Sequence, residues 1–200
     1  MKIAVFGASG NIGSQVVEQL AAKGHEVISI GARSGDHRVD YTDAVAVEAL
    51  LESIAPLDAI VVSVGSDSAF KPYNTLTDGD FLLGAERKLV AQFRIVRLAE
   101  KYVRDNGSVT LTSGFLSHYP NPYSLATGPF NAAIDTFVQQ SAEHLPRGVR
   151  VNVVSPAPVV APDQVKEGLV SAAQVAEFFV DSIEGQATGT VFQAWGGLSA

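Results

Sequence analysis

The sequence predicts an α/β fold, a doubly wound sheet of about seven parallel strands with helices on both faces, and three observations predict it. Short apolar runs of β character alternate with helical stretches from end to end. Those runs are apolar at nearly every position, as strands covered on both faces must be. With 200 residues, 46% hydrophobic and 18% charged, the chain has the balance of one buried core rather than of a disordered or membrane segment. No internal repeat, low-complexity tract or linker interrupts it, so one domain over residues 1–200 is expected.

The elements follow in order. Strands at 2–6 and 26–30 flank a helix whose Ile12, Val16, Val17, Leu20 and Ala21 recur at three- and four-residue steps. Gly24 stops that helix. A short third strand is expected at 38–40, then a helix at 43–54 ended by Pro56, and a central strand at 59–64. The stretch 77–104 carries Phe81, Leu82, Leu89, Phe93, Val96, Leu98 and Val103, consistent with one or two helices, before Asn106-Gly107 turns the chain into a strand at 108–112. A helix at 128–145 precedes a strand at 150–155, which Pro156 and Pro158 stop. Ser171 with Gln174 forms a capping box opening a helix that ends near Gly185, and a last strand is expected at 190–194.

Charge and composition exclude several functions. Fourteen Lys and Arg against 21 Asp and Glu give a net charge of −7, which disfavours nucleic acid as a partner. The absence of cysteine removes disulfides, thiolate metal sites and a cysteine nucleophile together. His25, His118 and Asp67 show no metal-ligand spacing, so no metal is expected. Met1-Lys2 runs directly into an apolar strand, and no run is long enough to span a bilayer. A soluble, cytoplasmic protein without membrane association is expected.

The most informative segment is Gly7-Ala8-Ser9-Gly10-Asn11-Ile12-Gly13, a GxxGxxG spacing between the first strand and its helix. A dinucleotide pyrophosphate needs backbone N–H groups and a helix N-terminus close to it, with side chains absent where the chain turns and where helix meets strand. Gly7, Gly10 and Gly13 meet those demands, with Ser9, Asn11 and Ile12 beside them, and the expected fold becomes Rossmann-type. At the end of the second strand, where an acid would bind the ribose hydroxyls of NAD, the chain instead has Arg33 and Ser34, suited to a 2′-phosphate. NADP is expected over NAD, unless Arg33 only solvates its loop and Asp36 binds the ribose. Asp40 reads either as a contact to the adenine amino group or as part of a helix cap with Thr42 and Asp43.

Taken together, these segments resemble the short-chain dehydrogenase/reductase family over essentially the whole chain. Gly7 through Gly13 resembles the family's glycine-rich turn, and Asp40-Tyr41-Thr42-Asp43 its adenine-side motif. Val62-Ser63-Val64-Gly65 stands in place of the family's NNAG, so Ser63, Val64 and Gly65 are expected at the cofactor. Gly107 through Ser113 resembles the fifth strand, which ends at the family's substrate-binding serine. Arg150 through Pro156 is similar to the strand leading to the nicotinamide, which implies cofactor contacts from Pro156 and Val159. Thr188-Gly189-Thr190 through Trp195-Gly196-Gly197 resembles the carboxyl-terminal strand.

The chemistry departs from the family. Its Tyr-x-x-x-Lys pair exchanges a proton with the substrate oxygen while the lysine binds the nicotinamide ribose and lowers the tyrosine pKa. Counting back from Ala142-Glu143, Asn152 and Pro156 puts Thr127 and Asn131 at those positions. A threonine hydroxyl is too weak an acid, and Asn131 offers a ribose hydrogen bond but no charge. Tyr123 reads as loop packing. Two candidates for catalysis remain. Ser113 fits the family's serine, or is a strand-end hydroxyl that satisfies backbone. Lys88 replaces the family's helix asparagine; it either points into the site to donate a proton or hold an anion, or is a solvated helix lysine beside Arg87.

These readings lead to an NADP-dependent oxidoreductase acting on a small carbonyl or alcohol, with a catalytically degenerate NADP-binding sensor or interaction protein as the alternative and isomerisation as a third. The segment from Pro156 to the Ser171 helix leaves a short lid and hence an open pocket, or one completed by a neighbouring subunit. Family members pair through long helices and terminal strands. A homodimer or homotetramer is therefore expected, with Leu89, Phe93, Val96, Phe137 and Trp195 as apolar contacts or as sheet-facing core.

Overall fold

A computed structural model describes residues 1–65 and 68–199. Seven strands form one parallel sheet: β1 (Lys2–Phe6), β2 (Glu26–Gly31), β3 (His37–Arg38), β4 (Leu57–Val62), β5 (Val103–Thr112), β6 (Arg150–Pro156) and, last in sequence, β9 (Val191–Ala194). Their spatial order is β3-β2-β1-β4-β5-β6-β9. The doubly wound, Rossmann-type reading therefore holds. β1 lies between β2 and β4, with Phe6 opposite both Ile30 and Val62. The winding reverses at this point, so a crevice opens beyond the carboxyl ends of these three strands.

Alternation along β1 shows how the sheet is buried on both sides. Ala4 and Phe6 join one cluster, against Val47 and Leu51 of α2 (Ala44–Ile54), Ile95 and Ala99 of α4 (Ala91–Tyr102), and Ile134 and Val138 of α5 (Gly128–Ser141). Ile3 and Val5 join the other, against Val16 and Leu20 of α1 (Asn11–Ala22) and Val175 and Phe179 of α6 (Ala172–Glu184). The first and last of these helices are neighbours. Gln19 donates to the Ala173 carbonyl at 2.9 Å, and Glu184 takes Lys23 and His25 at 2.9 and 3.0 Å.

Several boundaries differ from the sequence expectation, for local reasons. The third strand ends at Arg38 rather than 40 because the chain turns at Asp40, whose carboxylate accepts from the Thr42 amide and hydroxyl. The fifth strand begins at Val103, and its pairing with β4 is irregular around Asn106, which has a positive φ of 61°. The helical stretch expected over 77–104 is α3 (Asp78–Gly84), a π turn over Ala85–Val90, and then α4. The short lid contains a two-stranded ribbon, β7 (Val159–Val160) with β8 (Val170–Ser171), that periodicity did not reveal.

The capping box on α6 is present as expected. The Ser171 hydroxyl accepts from the Gln174 amide at 3.2 Å, and the Gln174 side chain accepts from the Ser171 amide at 2.9 Å. Ser171→Ala is expected to lower stability by about 1 kcal/mol, read as a reduced urea midpoint at unchanged slope.

Candidate active site

Two cavities lie along the carboxyl edge of the sheet and meet at Gly65. The first, of about 180 Å³, is the crevice between β1, β2 and β4, lined by Gly7, Ser9, Gly10, Gly31, Val39, Tyr41, Ser63 and Val64 among others. Close backbone approach forms it. Gly7 has φ +79°, and a Cβ there would stand 2.0 Å from the Ser63 carbonyl oxygen; a Cβ on Gly13 would stand 2.1 Å from the Gly7 oxygen. No side chain caps the start of α1, whose N-cap is Gly10. The arrangement suits a pyrophosphate: backbone donors and a helix N-terminus, with no side chain in the way.

The remaining predicted cofactor residues divide. Asn11 is exposed at the start of α1, and Ile12 packs against the core. Arg33 and Ser34 are exposed just beyond Gly31 and Ala32 at the end of the crevice. Asp36 is committed elsewhere: its carboxylate accepts from the Ser29 amide at 2.8 Å and hydroxyl at 2.7 Å, bonds that hold its pKa below the usual range. Asp40 does not line the crevice. Its carboxylate is held by the Thr42 amide first and then the hydroxyl, which also lower its pKa, and the cap of α2 is Asp43. Val39 and Tyr41 line the crevice on that side; Tyr41 falls within the segment read as the adenine-side motif, and neither was singled out as a site residue. Val159 sits in β7 and packs against the core rather than lining either cavity.

The second cavity, about 420 Å³, is lined by Gly65, Phe70, Lys88, Ser113, Thr127, Asn131 and Pro156 among others. Here the alternative of a solvated Lys88 is overturned, since the side chain is only 5% exposed. It lies in the π turn, where the changed helical phase gives a side chain a direction that a regular α-helix would not. Its Nζ donates to the Ser113 carbonyl at 3.2 Å. A Cβ on Gly65 would come within 3.0 Å of Lys88 Cγ, so the glycine lets the two chains close. Gln92, wholly buried, ties this turn to β5: Nε2 donates to the carbonyls of Lys88 and Thr112 at 3.0 and 2.9 Å, and Oε1 accepts from the Thr112 amide at 3.0 Å. Burial pushes the Lys88 amine down to about 8, with the charge of Asp135 acting in the opposite direction.

Ser113 is 4% exposed, and its hydroxyl has no hydrogen-bond partner of good geometry. Asn131 is buried with Oδ1 likewise unpartnered. Thr127 donates to the Ser68 hydroxyl at 2.9 Å. Tyr123 is exposed, its ring 6.0 Å from that of Phe70, in keeping with loop packing. Sequence reasoning missed Gln92 and, more consequentially, Asp135, a buried carboxyl one helical turn beyond Asn131. His25 pairs with Glu184 at the surface, His118 packs on Trp195, and Asp67 lies outside the described residues.

The geometry defines a doubly wound α/β protein with a glycine-lined crevice suited to a dinucleotide and, beside it, a mostly apolar cavity carrying a few polar side chains. Comparison with known proteins gives the family. The family model described as enoyl-(acyl carrier protein) reductase matches residues 15–191. The chain belongs to the short-chain dehydrogenase/reductase family, a family of oxidoreductases. Among solved structures, the protein lin1944 from Listeria innocua is 37% identical, with a TM-score of 0.90 over 98% of this chain and 100% of that one. A small-chain dehydrogenase in complex with NADPH is 24% identical, with a TM-score of 0.88 over 98% of this chain and 97% of that one. A short chain dehydrogenase from Burkholderia cenocepacia J2315, in complex with NADP, is 22% identical, with a TM-score of 0.87 over 98% and 96%. At such identities the last two show likeness of fold. No curated protein matches the chain. Among the described residues, no helix is long and apolar enough to cross a membrane.

Proposed function

We propose that this protein is an NADP(H)-dependent oxidoreductase of small carbonyl compounds or alcohols in which Lys88 replaces the family's tyrosine as proton donor. The observation that carries the proposal is the buried Lys88 amine on the wall of a cavity that joins the nucleotide crevice at Gly65. When bound, the dinucleotide would supply the two-electron chemistry. Gly7, Gly10, Gly13 and Ser9 would hold its phosphates, Val39 and Tyr41 would border its adenosine, and Ser63 through Gly65, Asn131 and Pro156 would line the path to the second cavity. An amine brought near neutrality by burial carries an available proton and still gives it up, which is what a general acid at physiological pH needs. Ser113 and Asn131 bring polar atoms to the same cavity, in place of the pair whose positions Thr127 and Asn131 occupy.

Two features support the finer readings. Arg33 and Ser34 are exposed at the end of the crevice while Asp36 is held by Ser29, leaving a cation and a hydroxyl rather than an acid to meet a ribose substituent. Structural relatives bound to NADPH or NADP agree with that choice. A groove of about 670 Å³ between α4 and α5, where the Phe93 and Phe137 rings stack at 3.7 Å, supports a homodimer or homotetramer formed through these helices. Trp195, only 1% exposed, belongs to the core and not to such a surface.

The test is calorimetric and spectrophotometric. Titration with NADPH is expected to show saturable binding, and a panel of aldehydes, ketones and quinones to include compounds that oxidise it above background. Tight binding with no turnover on the whole panel would favour the sensor reading instead. Arg33→Ala is expected to reduce the NADPH-over-NADH affinity ratio about tenfold, as loss of one charge-assisted phosphate contact should. An unchanged ratio would remove Arg33 as the determinant.

A further inference from the structure

Thr127, the N-cap of α5, is followed at four-residue steps by Asn131 and Asp135, which share one face of that helix. Asp135 is 7% exposed; its Oδ2 accepts from the Ser117 hydroxyl at 3.3 Å, and its Oδ1 is buried without a hydrogen-bond partner. The Ser113 hydroxyl, itself buried without a partner of good geometry, acts on this carboxyl, so the two groups are near each other but loosely joined. The groups facing it come from each element packed there: Lys88 from the π turn, Ser113 at the end of β5, and Ser117 and His118 just beyond. Burial raises the Asp135 pKa, while the Ser113 and Ser117 hydroxyls and the charges of His118 and Lys88 lower it in that order.

The position of Asp135 between two spaces gives this arrangement a direction. Lys88 and Ser113 line the 420 Å³ reaction cavity, which Asp135 does not line. Asp135 lines a separate polar cavity of about 250 Å³, with Ser117, His118, Gln139 and Gln193. Ser113 on one cavity and Asp135 on the other are brought together by the Ser117 hydroxyl, which is within donating distance of both the Gly114 carbonyl and Asp135 Oδ2, and the Ser113 hydroxyl acts on the same carboxyl. A space of that size holds water, and its walls supply the polar partners that water needs.

We propose that Asp135 is the proton inlet of the site, taking a proton from a hydronium ion in the second cavity and passing it through the Ser113 hydroxyl to Lys88. The proposal rests on the reading of Lys88 as the proton donor. Once Lys88 has given its proton to the substrate oxygen it is a neutral amine. A hydronium ion in the second cavity then gives a proton to the Asp135 carboxylate, forming an O–H bond, and is left as water. That bond breaks as Ser113 Oγ takes the proton, while the proton Ser113 already carried moves to Lys88 Nζ. Ser113 ends unchanged, Asp135 returns to a carboxylate and Lys88 is an ammonium again; no electrons are exchanged in these steps.

The experiment reads proton delivery without turnover. In protein carrying ¹⁵N-lysine, the Lys88 ammonium protons are assigned by their loss in Lys88→Met, and their exchange with solvent is measured by NMR. Asp135→Asn is expected to slow that exchange at least tenfold while NADPH binding is kept. Ser113→Ala, at the middle of the path, is expected to slow it comparably and serves as the test if Asp135→Asn does not fold. Adding formate to Asp135→Ala, whose vacated carboxyl borders the second cavity, is expected to restore fast exchange saturably; a merely structural role would show no rescue. Exchange unaltered in both Asp135→Asn and Ser113→Ala, or slowed without formate rescue, overturns the inlet. The oxidoreductase reading is tested separately by NADPH consumption in the unsubstituted protein, so an inactive protein with Asp135-dependent exchange would remove that reading and leave the path standing.

Discussion

Lys88→Met is expected to abolish carbonyl reduction and, at neutral pH, to yield a more stable protein. Removal of a general acid costs about 10²–10⁴-fold in rate, and NADPH binding should survive because Lys88 does not line the crevice proposed to hold the phosphates. The gain in stability follows from linkage. The Lys88 pKa is about 8 in the folded state, against an ordinary value of 10.5. Between those two values the unfolded chain holds the proton and the folded one does not, so stability rises with pH across that window. Below pH 8 both states are protonated, and the burial penalty is present in full. It corresponds to about 3 kcal/mol at 1.36 kcal/mol per pKa unit. An isosteric apolar side chain removes the penalty and packs the same space. Urea melts at pH 7 and pH 10 check both statements: the variant should exceed the parent at pH 7, and the difference should shrink by pH 10. A parent whose stability is flat from pH 8 to 10 would show that Lys88 titrates normally.

Gly7→Ala is expected to be more damaging to the fold than any other single methyl added along the nucleotide crevice. The residue has φ +79°, which a Cβ disfavours by about 1–2 kcal/mol. That Cβ would also stand 2.0 Å from the backbone oxygen of Ser63, just beyond β4, which cannot move aside as a flexible side-chain tip could. Loss of several kcal/mol is expected, together with loss of detectable NADPH binding. Gly13→Ala meets the Gly7 carbonyl at 2.1 Å and should behave similarly. Gly10→Ala is the control: its Cβ would lie 3.2 Å from the Gly7 oxygen, at an ordinary negative φ, so the fold should persist. Thermal melts and calorimetry on the three variants would expose the error if Gly10→Ala proved the worst.

What could be read from the sequence was whatever depends on local chemistry. The strand, glycine turn and helix over residues 2–22 are signalled by residues within a single stretch, as is the Ser171 and Gln174 capping box. The direction of Lys88 was not legible, because a π turn has no residue signature in Ala85–Val90 and shifts the helical phase by which buried faces are counted. Asp135 escaped for a different reason. An acid in an amphipathic helix ordinarily faces water, and its burial here depends on Ser113 and Ser117, more than fifteen residues earlier in the chain. The ribbon of β7 and β8 escaped because two-residue strands are too short to show a period. Asp36 looked available because sequence does not disclose that Ser29 already occupies its carboxylate, whereas for Asp40 the alternative of a local bond with Thr42 was legible and the contact to Thr42 is present.

The packing of α6 on α1 bears on how the protein acquires its activity during synthesis. The glycine-rich turn of residues 7–13 is synthesised long before the residues on which the helix behind it leans, Ala173, Phe179 and Glu184. β1 also waits for β4, some fifty residues later, before both its edges are paired. The nascent chain therefore carries the glycine motif long before it has a rigid one, and the proposed ligand capture must await the synthesis of α6.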